Sequence, residues 1–233
     1  VEAHVSVAKI AKYATSESGD TLEMIERPGG GISFVLADGQ RSGHSAKVIS
    51  NVVTRKAISL LAEGVRDGAA ARAASDYLYT YRRGKVSATL NILSIDLESG
   101  TMVITRNSPL PVVIVEAGEL RALDEDVMRV GTRRSVRPLI EEIPLSVGLT
   151  AVMYTDGLAH AGSRQGECVD VKAVVAELAR RGKPDPKIWV GRLMEDALKL
   201  DSGRPVDDIS VLIASVGESH DGSVRQLDVH LPL

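Results

Sequence analysis

Twice along this chain the hydrophobic spacing switches from short strand-like runs to a helical stripe, and few folds accept that order. Val5, Val7 and Ala8 to Ala11 predict an opening strand. Thr21 to Glu26 and the apolar run Ile32 to Ala37 flank Pro28-Gly29-Gly30-Gly31, a β-hairpin pattern. From Ser45 the spacing becomes Val48, Ile49, Val52, Val53, Ala57, Leu60 and Leu61, which predicts a helix ending near Gly64. A second helix, opened by Asp67-Gly68, covers Ala69 to Arg82. Strands are expected at 86–97, 101–106, 112–116, 119–123, 138–144 and 149–155. Helices follow at 170–180 and 186–200, then a last strand at 209–216. Strands in runs and helices in pairs, without regular βαβ alternation, specify an α+β layered fold with antiparallel sheets. No repeat or linker interrupts the chain. Residues 1–233 therefore read as a single domain, with a core at about 5–216 and a polar tail at 217–233. In that tail Val224, Leu227, Val229 and Leu231 alternate, as an edge strand or a contact segment would.

Composition excludes some classes of function. The 233 residues carry a net charge of −3, so no broad basic face supports nucleic-acid binding. Aromatic residues make up 3%, too few for base-stacking platforms, and the core must be built from Val, Ile, Leu and Ala. No apolar run approaches the ~20 residues that span a bilayer, so no membrane association is expected. Cys168 is the only cysteine, which rules out an internal disulfide and makes a cytoplasmic location the expectation. It reads as a small, semi-buried apolar residue. No signal-peptide pattern opens the sequence. The first residue, Val1, leaves room for an upstream sensor domain.

The chemistry lies in aspartates. Asp20, Asp38, Asp156 and Asp207 each sit where an apolar run meets a turn. Carboxylates at strand ends can converge at one edge of a folded sheet. Such a cluster is costly unless a cation neutralises it, and oxygen-only ligands favour Mg²⁺ or Mn²⁺. The residues alone do not separate Asp207 from Asp208.

Several segments, in order, resemble the SpoIIE-type branch of the metal-dependent protein phosphatases, the PPM or protein phosphatase 2C superfamily. Ser18-Gly19-Asp20 is similar to that family's Gly-Gly-Asp. Asp38-Gly39-Gln40-Arg41-Ser42-Gly43 resembles its Asp-Gly-x-Gly-x-Gly loop leading into a helix. Ala88 to Asn91 with Asp96 to Gly100 resembles its central hairpin. Tyr154-Thr155-Asp156-Gly157 and Asp207-Asp208-Ile209-Ser210 complete the set. Asp-Gly alone is a common turn; four motifs in order are specific.

The resemblance implies a protein phosphatase 2C-like β-sandwich flanked by helical layers, with two Mn²⁺ or Mg²⁺ ions at one end. It implies that Asp38 bridges both ions. Asp20 and the Gly39 carbonyl would hold one, and Asp156 and Asp207 the other. Asp208 would orient a ligand or serve as an alternative one. The implied reaction is hydrolysis of phosphoserine or phosphothreonine on a bacterial signalling protein through a metal-bridging hydroxide. The implied substrates are anti-sigma-antagonist or stressosome-type phosphoproteins, as for a stand-alone stressosome phosphatase. Two other functions fit the same residues: a catalytically silent partner-binding module, and a small-phosphoester hydrolase.

Some residues depart from the family pattern. Arg41 stands where the family often has glycine. Either the loop needs no positive φ there and the side chain is in solvent, or the guanidinium grips the substrate phosphate. Gln40 stands where eukaryotic relatives carry an acid histidine, and His44 reads as a surface residue at a helix N-terminus. Trp189 is expected within a helix interface. Arg82, Arg83 and Lys85, and separately Arg133, Arg134 and Arg137, read as solvated faces, with a phosphoprotein docking surface as the alternative.

Overall fold

The computed structural model describes residues 1–219 and 224–230. Among these residues ten strands form two five-stranded sheets, and every pairing is antiparallel. One sheet runs β2 (Asp20–Glu26), β3 (Ile32–Gly39), β4 (Ala88–Asp96), β5 (Thr101–Asn107) and β8 (Leu139–Pro144). The other runs β1 (Glu2–Ile10), β10 (Ile209–Gly217), β9 (Thr150–Tyr154), β6 (Val112–Glu116) and β7 (Glu119–Leu123).

Helices cover both outer faces, and this explains the strand sequences. In β3, Phe34 and Leu36 enter the core between the sheets, while Val35 and Ala37 lie in the layer under α1 (Gly43–Ala62) and α2 (Asp67–Arg82). In β10, Leu212 and Ala214 face the inter-sheet core, and Val211 and Ile213 pack in the layer of α4 (Val171–Arg181) and α5 (Pro186–Leu200). A strand buried on both faces reads as a continuous apolar run. Ile49, Val53 and Leu61 anchor α1, and each such buried side chain stabilises the fold by about 1.5–3 kcal/mol. Ala70, Ala71 and Ala74 let α2 approach closely. Asp185 caps α5, accepting hydrogen bonds from the Lys187 and Ile188 N–H groups, and Pro186 occupies the first helical position. Trp189 is buried in that same layer.

One local expectation, that for Cys168, needs correction, and the fold adds two further local features. A one-turn helix, α3 (Asp156–Ala159), and a 3₁₀ turn at Ser163–Gln165 follow β9. Each is too short to show a hydrophobic period. Cys168 is exposed, because its segment precedes the Asp170 cap of α4 on the surface. Of the two readings left open for the tail, residues 224–230 form no strand and make a contact: Arg225 pairs with Glu26 and donates to the Gly30 carbonyl. Leu231 lies outside the described residues. No helix among the described residues is long and apolar enough to cross a membrane.

Candidate metal centre

Both sheets deliver carboxylates to the same end of the sandwich. Asp20 opens β2, and its register partner across the ladder is Asp38, the penultimate residue of β3. On the other sheet β9 ends at Tyr154 and Asp156 begins α3. Asp207 and Asp208 lead into β10, the antiparallel neighbour of β9. Asp38, Asp156 and Asp207 wall a cleft of about 310 Å³, together with Lys12, Gly39, Gln40, Arg41, Ser42 and Arg129.

Asp20 does not line that cleft and is only 1% exposed. Its Oδ2 accepts hydrogen bonds from Thr155 Oγ1 at 2.9 Å and Ser210 Oγ at 2.6 Å, side chains of the opposite sheet's motifs. These bonds stitch the two sheets together at the carboxylate end. The backbone carbonyl of Asp20 accepts from Lys47 Nζ at 2.7 Å and from Lys9 Nζ. Burial beside Lys47 lowers the Lys9 pKa to about 8.

The fold separates Asp207 from Asp208. Asp208 is buried and clasps backbone on two sides: Oδ1 accepts from Lys12 N at 2.9 Å and Oδ2 from Gly19 N at 2.8 Å. Asp207 faces the cleft, and its Oδ1 accepts only its neighbour's N–H among the described residues.

The electrostatics are those of a site short of positive charge. Burial raises the Asp38 pKa to about 9, and Asp20, Asp156 and Asp207 add to the rise; Arg129 offsets part of it. Burial also raises Asp20 to about 7, against the pull of its hydrogen bonds from Ser210 and Thr155. Asp207 is raised in the same way, by burial first. Among the described residues no three His, Cys, Asp or Glu side chains are gathered closely enough to hold a metal ion as they stand. Oxygen donors of this kind suit hard ions such as Mg²⁺ or Mn²⁺. The donor set fits such ions and does not fit Zn²⁺, which favours nitrogen and sulfur.

Close packing fixes the loops. A Cβ on Gly39 would stand 2.0 Å from the Ala46 carbonyl oxygen, so glycine is what lets α1 rest on the end of β3. Likewise a Cβ on Gly157 would stand 2.1 Å from the Asp208 carbonyl oxygen. Arg41 has φ +82°, so the loop does require the left-handed conformation that glycine favours, and arginine adopts it here. The premise that the loop needs no positive φ is therefore corrected, while Arg41 is exposed and lines the cleft, so both readings of its side chain stand.

Gln40 is held by Ser87, whose N–H donates to Gln40 Oε1 at 3.1 Å. His44 is outside the cleft, in the first turn of α1, exposed and 3.0 Å from Glu17. Four contributors were not legible as such. Thr155 and Ser210 belong to recognised motifs yet carried no assigned role. Lys12 and Arg129 reach the cleft from segments without a motif.

The SpoIIE family model, described as stage II sporulation protein E, matches residues 28–217. The chain belongs to the SpoIIE family. Stage II sporulation protein E of Bacillus subtilis (strain 168) is 21% identical over 209 residues, which is 90% of this chain and 25% of that relative. This SpoIIE-family chain thus spans about a quarter of that relative's length. The solved PP2C phosphatase domain of SpoIIE from Bacillus subtilis, with a fragment of its regulatory domain, superposes with TM-score 0.78 at 18% identity. The match covers 94% of this chain and 64% of that one. The catalytic domain of the serine/threonine protein phosphatase PstP, in complex with 2 manganese ions, has TM-score 0.68 at 18% identity, covering 93% and 99%. The α+β sandwich with helices on both outer faces is therefore the PP2C-type fold.

Proposed function

We propose that this chain is a metal-dependent protein phosphatase that hydrolyses phosphoserine or phosphothreonine on a bacterial signalling protein in the cytoplasm. One observation carries the reading: carboxylates from both sheets and the cations Lys12, Arg41 and Arg129 wall the same cleft. Acidic groups suit divalent ions, and basic groups suit a phosphoryl dianion. Asp38 is assigned to both ions, Asp20 and the Gly39 carbonyl to one, and Asp156 and Asp207 to the other. Asp208 positions the Asp207 turn through its backbone clasp.

Two Mn²⁺ or Mg²⁺ ions, when bound, supply charge for the phosphoryl oxygens and lower the pKa of water. The chain's own residues do the rest. Thr155 and Ser210 hold Asp20 in one rotamer. Arg41 and Arg129 engage phosphoryl oxygens, and guanidinium does this bidentately. The N-terminus of α1 begins at Gly43 beside the cleft residue Ser42, whose side chain does not cap it, so the positive end of the helix favours an anion there. The finer reading is that the substrate is a small anti-sigma-antagonist or stressosome-type phosphoprotein. It rests on the motif resemblance to that branch.

The test is phosphate release from phosphoserine and phosphothreonine peptides and from small phosphoesters, with Mn²⁺, with Mg²⁺ and with chelator. Metal-dependent release that favours peptides, and is absent in Asp38→Asn, is the expected result. Full activity in metal-free buffer overturns the two-metal reading. Turnover of small esters alone leaves a small-phosphoester hydrolase.

A further inference from the structure

Two basic clusters, fifty residues apart in sequence, meet around the C-terminal end of α2. Arg82 ends that helix, Arg83 caps it and Lys85 follows. Arg133 and Arg134 arrive on the loop after β7, which is tied to α2 by Gly131 N to Ser75 Oγ at 3.1 Å and Ser135 N to Asp76 Oδ1 at 2.7 Å. Arg134 lies over the Tyr79 ring at 5.9 Å, and Arg82 over the Tyr81 ring at 5.3 Å. Tyr81 stacks on Tyr77 at 6.1 Å, and Lys56 lies 6.0 Å from the Tyr77 ring. Tyr77 and Tyr81 are exposed. Three of the chain's five tyrosines thus stand in this one patch.

Ring faces hold Arg82, Arg134 and Lys56 in place without neutralising them. Among the described residues none of the five basic side chains has a carboxylate partner within ion-pair distance. Asp76, on the same helix, is engaged by the Ser135 N–H. The helix dipole accounts for basic residues at the end of α2. It does not account for Arg133 and Arg134, which come from a separate loop.

The patch is joined to the cleft by two backbone segments. Residues 129–134 and 84–88 are paired by the Ala88–Val130 bridge, and Gln40 and Ser87 exchange hydrogen bonds at the cleft edge. Arg129 is in the cleft and Arg133 is in the patch. Four residues of chain span at most about 14 Å, so one bound polypeptide can reach both.

We propose that this patch docks an acidic surface of the phosphoprotein substrate, next to the phosphorylated residue. The proposal rests on the phosphatase reading and adds the class of substrate: a phosphoprotein with Asp and Glu close to its phosphoserine or phosphothreonine. Cation–π pairs preorganise the docking charges, and the exposed Tyr77–Tyr81 face adds apolar contact. Complementary charge chiefly raises the rate of encounter and is screened by salt.

The test compares a phosphoserine peptide rich in Asp and Glu with its Asn/Gln counterpart, for the intact protein and for an Arg83→Glu/Arg134→Glu double variant. A small phosphoester is the control. The expected result is a kcat/KM preference for the acidic peptide of roughly tenfold at low salt, lost at high salt and in the variant. Small-ester turnover stays unchanged, which also shows that the variant folds. A second arm measures fluorescence anisotropy of the unphosphorylated acidic peptide with metal-free protein, so it reads the surface without turnover. Weaker binding in the double variant is expected. Equal kcat/KM for the two peptides, an unaffected variant, or tighter binding of duplex DNA than of the acidic peptide overturns the proposal. No phosphate release from any substrate overturns the phosphatase reading instead, and the anisotropy arm still decides the surface.

Discussion

Asp20 and Asp38 face each other as register partners across the β2–β3 ladder. Like charges directly opposite on a sheet are destabilising. The pair persists because Asp38 favours its neutral form and Asp20 is held by Thr155 and Ser210. Asp38→Asn is expected to abolish metal-dependent phosphate release by orders of magnitude while raising the melting temperature of the metal-free protein. What Asn removes is the cost of burying and protonating that carboxylate, and each kcal/mol of it shifts melting by about 2–4 °C at this size. Thermal melting in chelator checks the second half; a fall there would show that the Asp38 carboxylate stabilises the metal-free fold.

The same pair sets a pH dependence. Asp38 titrates near 9 and Asp20 near 7 in the fold, both above the ordinary 3.8. Protonation therefore favours the metal-free fold. Their contribution is complete below about pH 4 and is lost as pH rises through about 7 and then 9. The melting temperature in chelator should fall between pH 6 and pH 9. A cation must displace the proton, so metal affinity should rise over that range with release of about one proton. Calorimetry in buffers of different ionisation enthalpy measures the release.

Asp207→Asn and Asp208→Asn should fail differently. Asp207→Asn is expected to weaken metal binding with melting little changed. In Asp208→Asn the amide NH₂ would confront one of the two backbone N–H groups now accepted by the carboxylate. That should cost about 1–3 kcal/mol of stability. Paired melting and metal titrations separate the two; the reverse ranking exchanges their roles.

Arg41 combines a left-handed backbone with an exposed position on the cleft lining. Arg41→Gly should be more stable than Arg41→Ala by about 1 kcal/mol, because alanine keeps the strain. Both should raise KM for phosphoesters, with metal affinity unchanged. Arg41→Lys should restore only part of the loss. Unaltered kinetics would remove Arg41 from substrate binding.

Thr155→Val keeps the side-chain shape but deletes the hydroxyl that donates to Asp20 and accepts from Ser210 N. Metal affinity should fall by about 10- to 100-fold, as when a group that orients a ligand is lost. Titration with Mn²⁺, read by protection against melting, checks this.

The sequence by itself determined the elements and the candidate ligands. Strand and helix periods are local properties, so β3, β10, α1 and α5 are readable from the spacing of Val, Ile, Leu and Ala. The four aspartates stand out because each ends or begins an apolar run at a turn. Only the tertiary structure decided what each carboxylate touches. Asp20 meets Thr155 and Ser210 across 135 and 190 residues, and Asp208 meets Gly19 across 189. Those contacts follow from which strands lie side by side and how the two sheets stack, and no local period encodes that. The same reason hid Arg129 and Lys12 at the cleft, the positive φ of Arg41, and the meeting of two arginine clusters around α2. Adjacent residues such as Asp207 and Asp208 point to different partners because the chain turns between them, so one faces the cleft and the other the buried backbone.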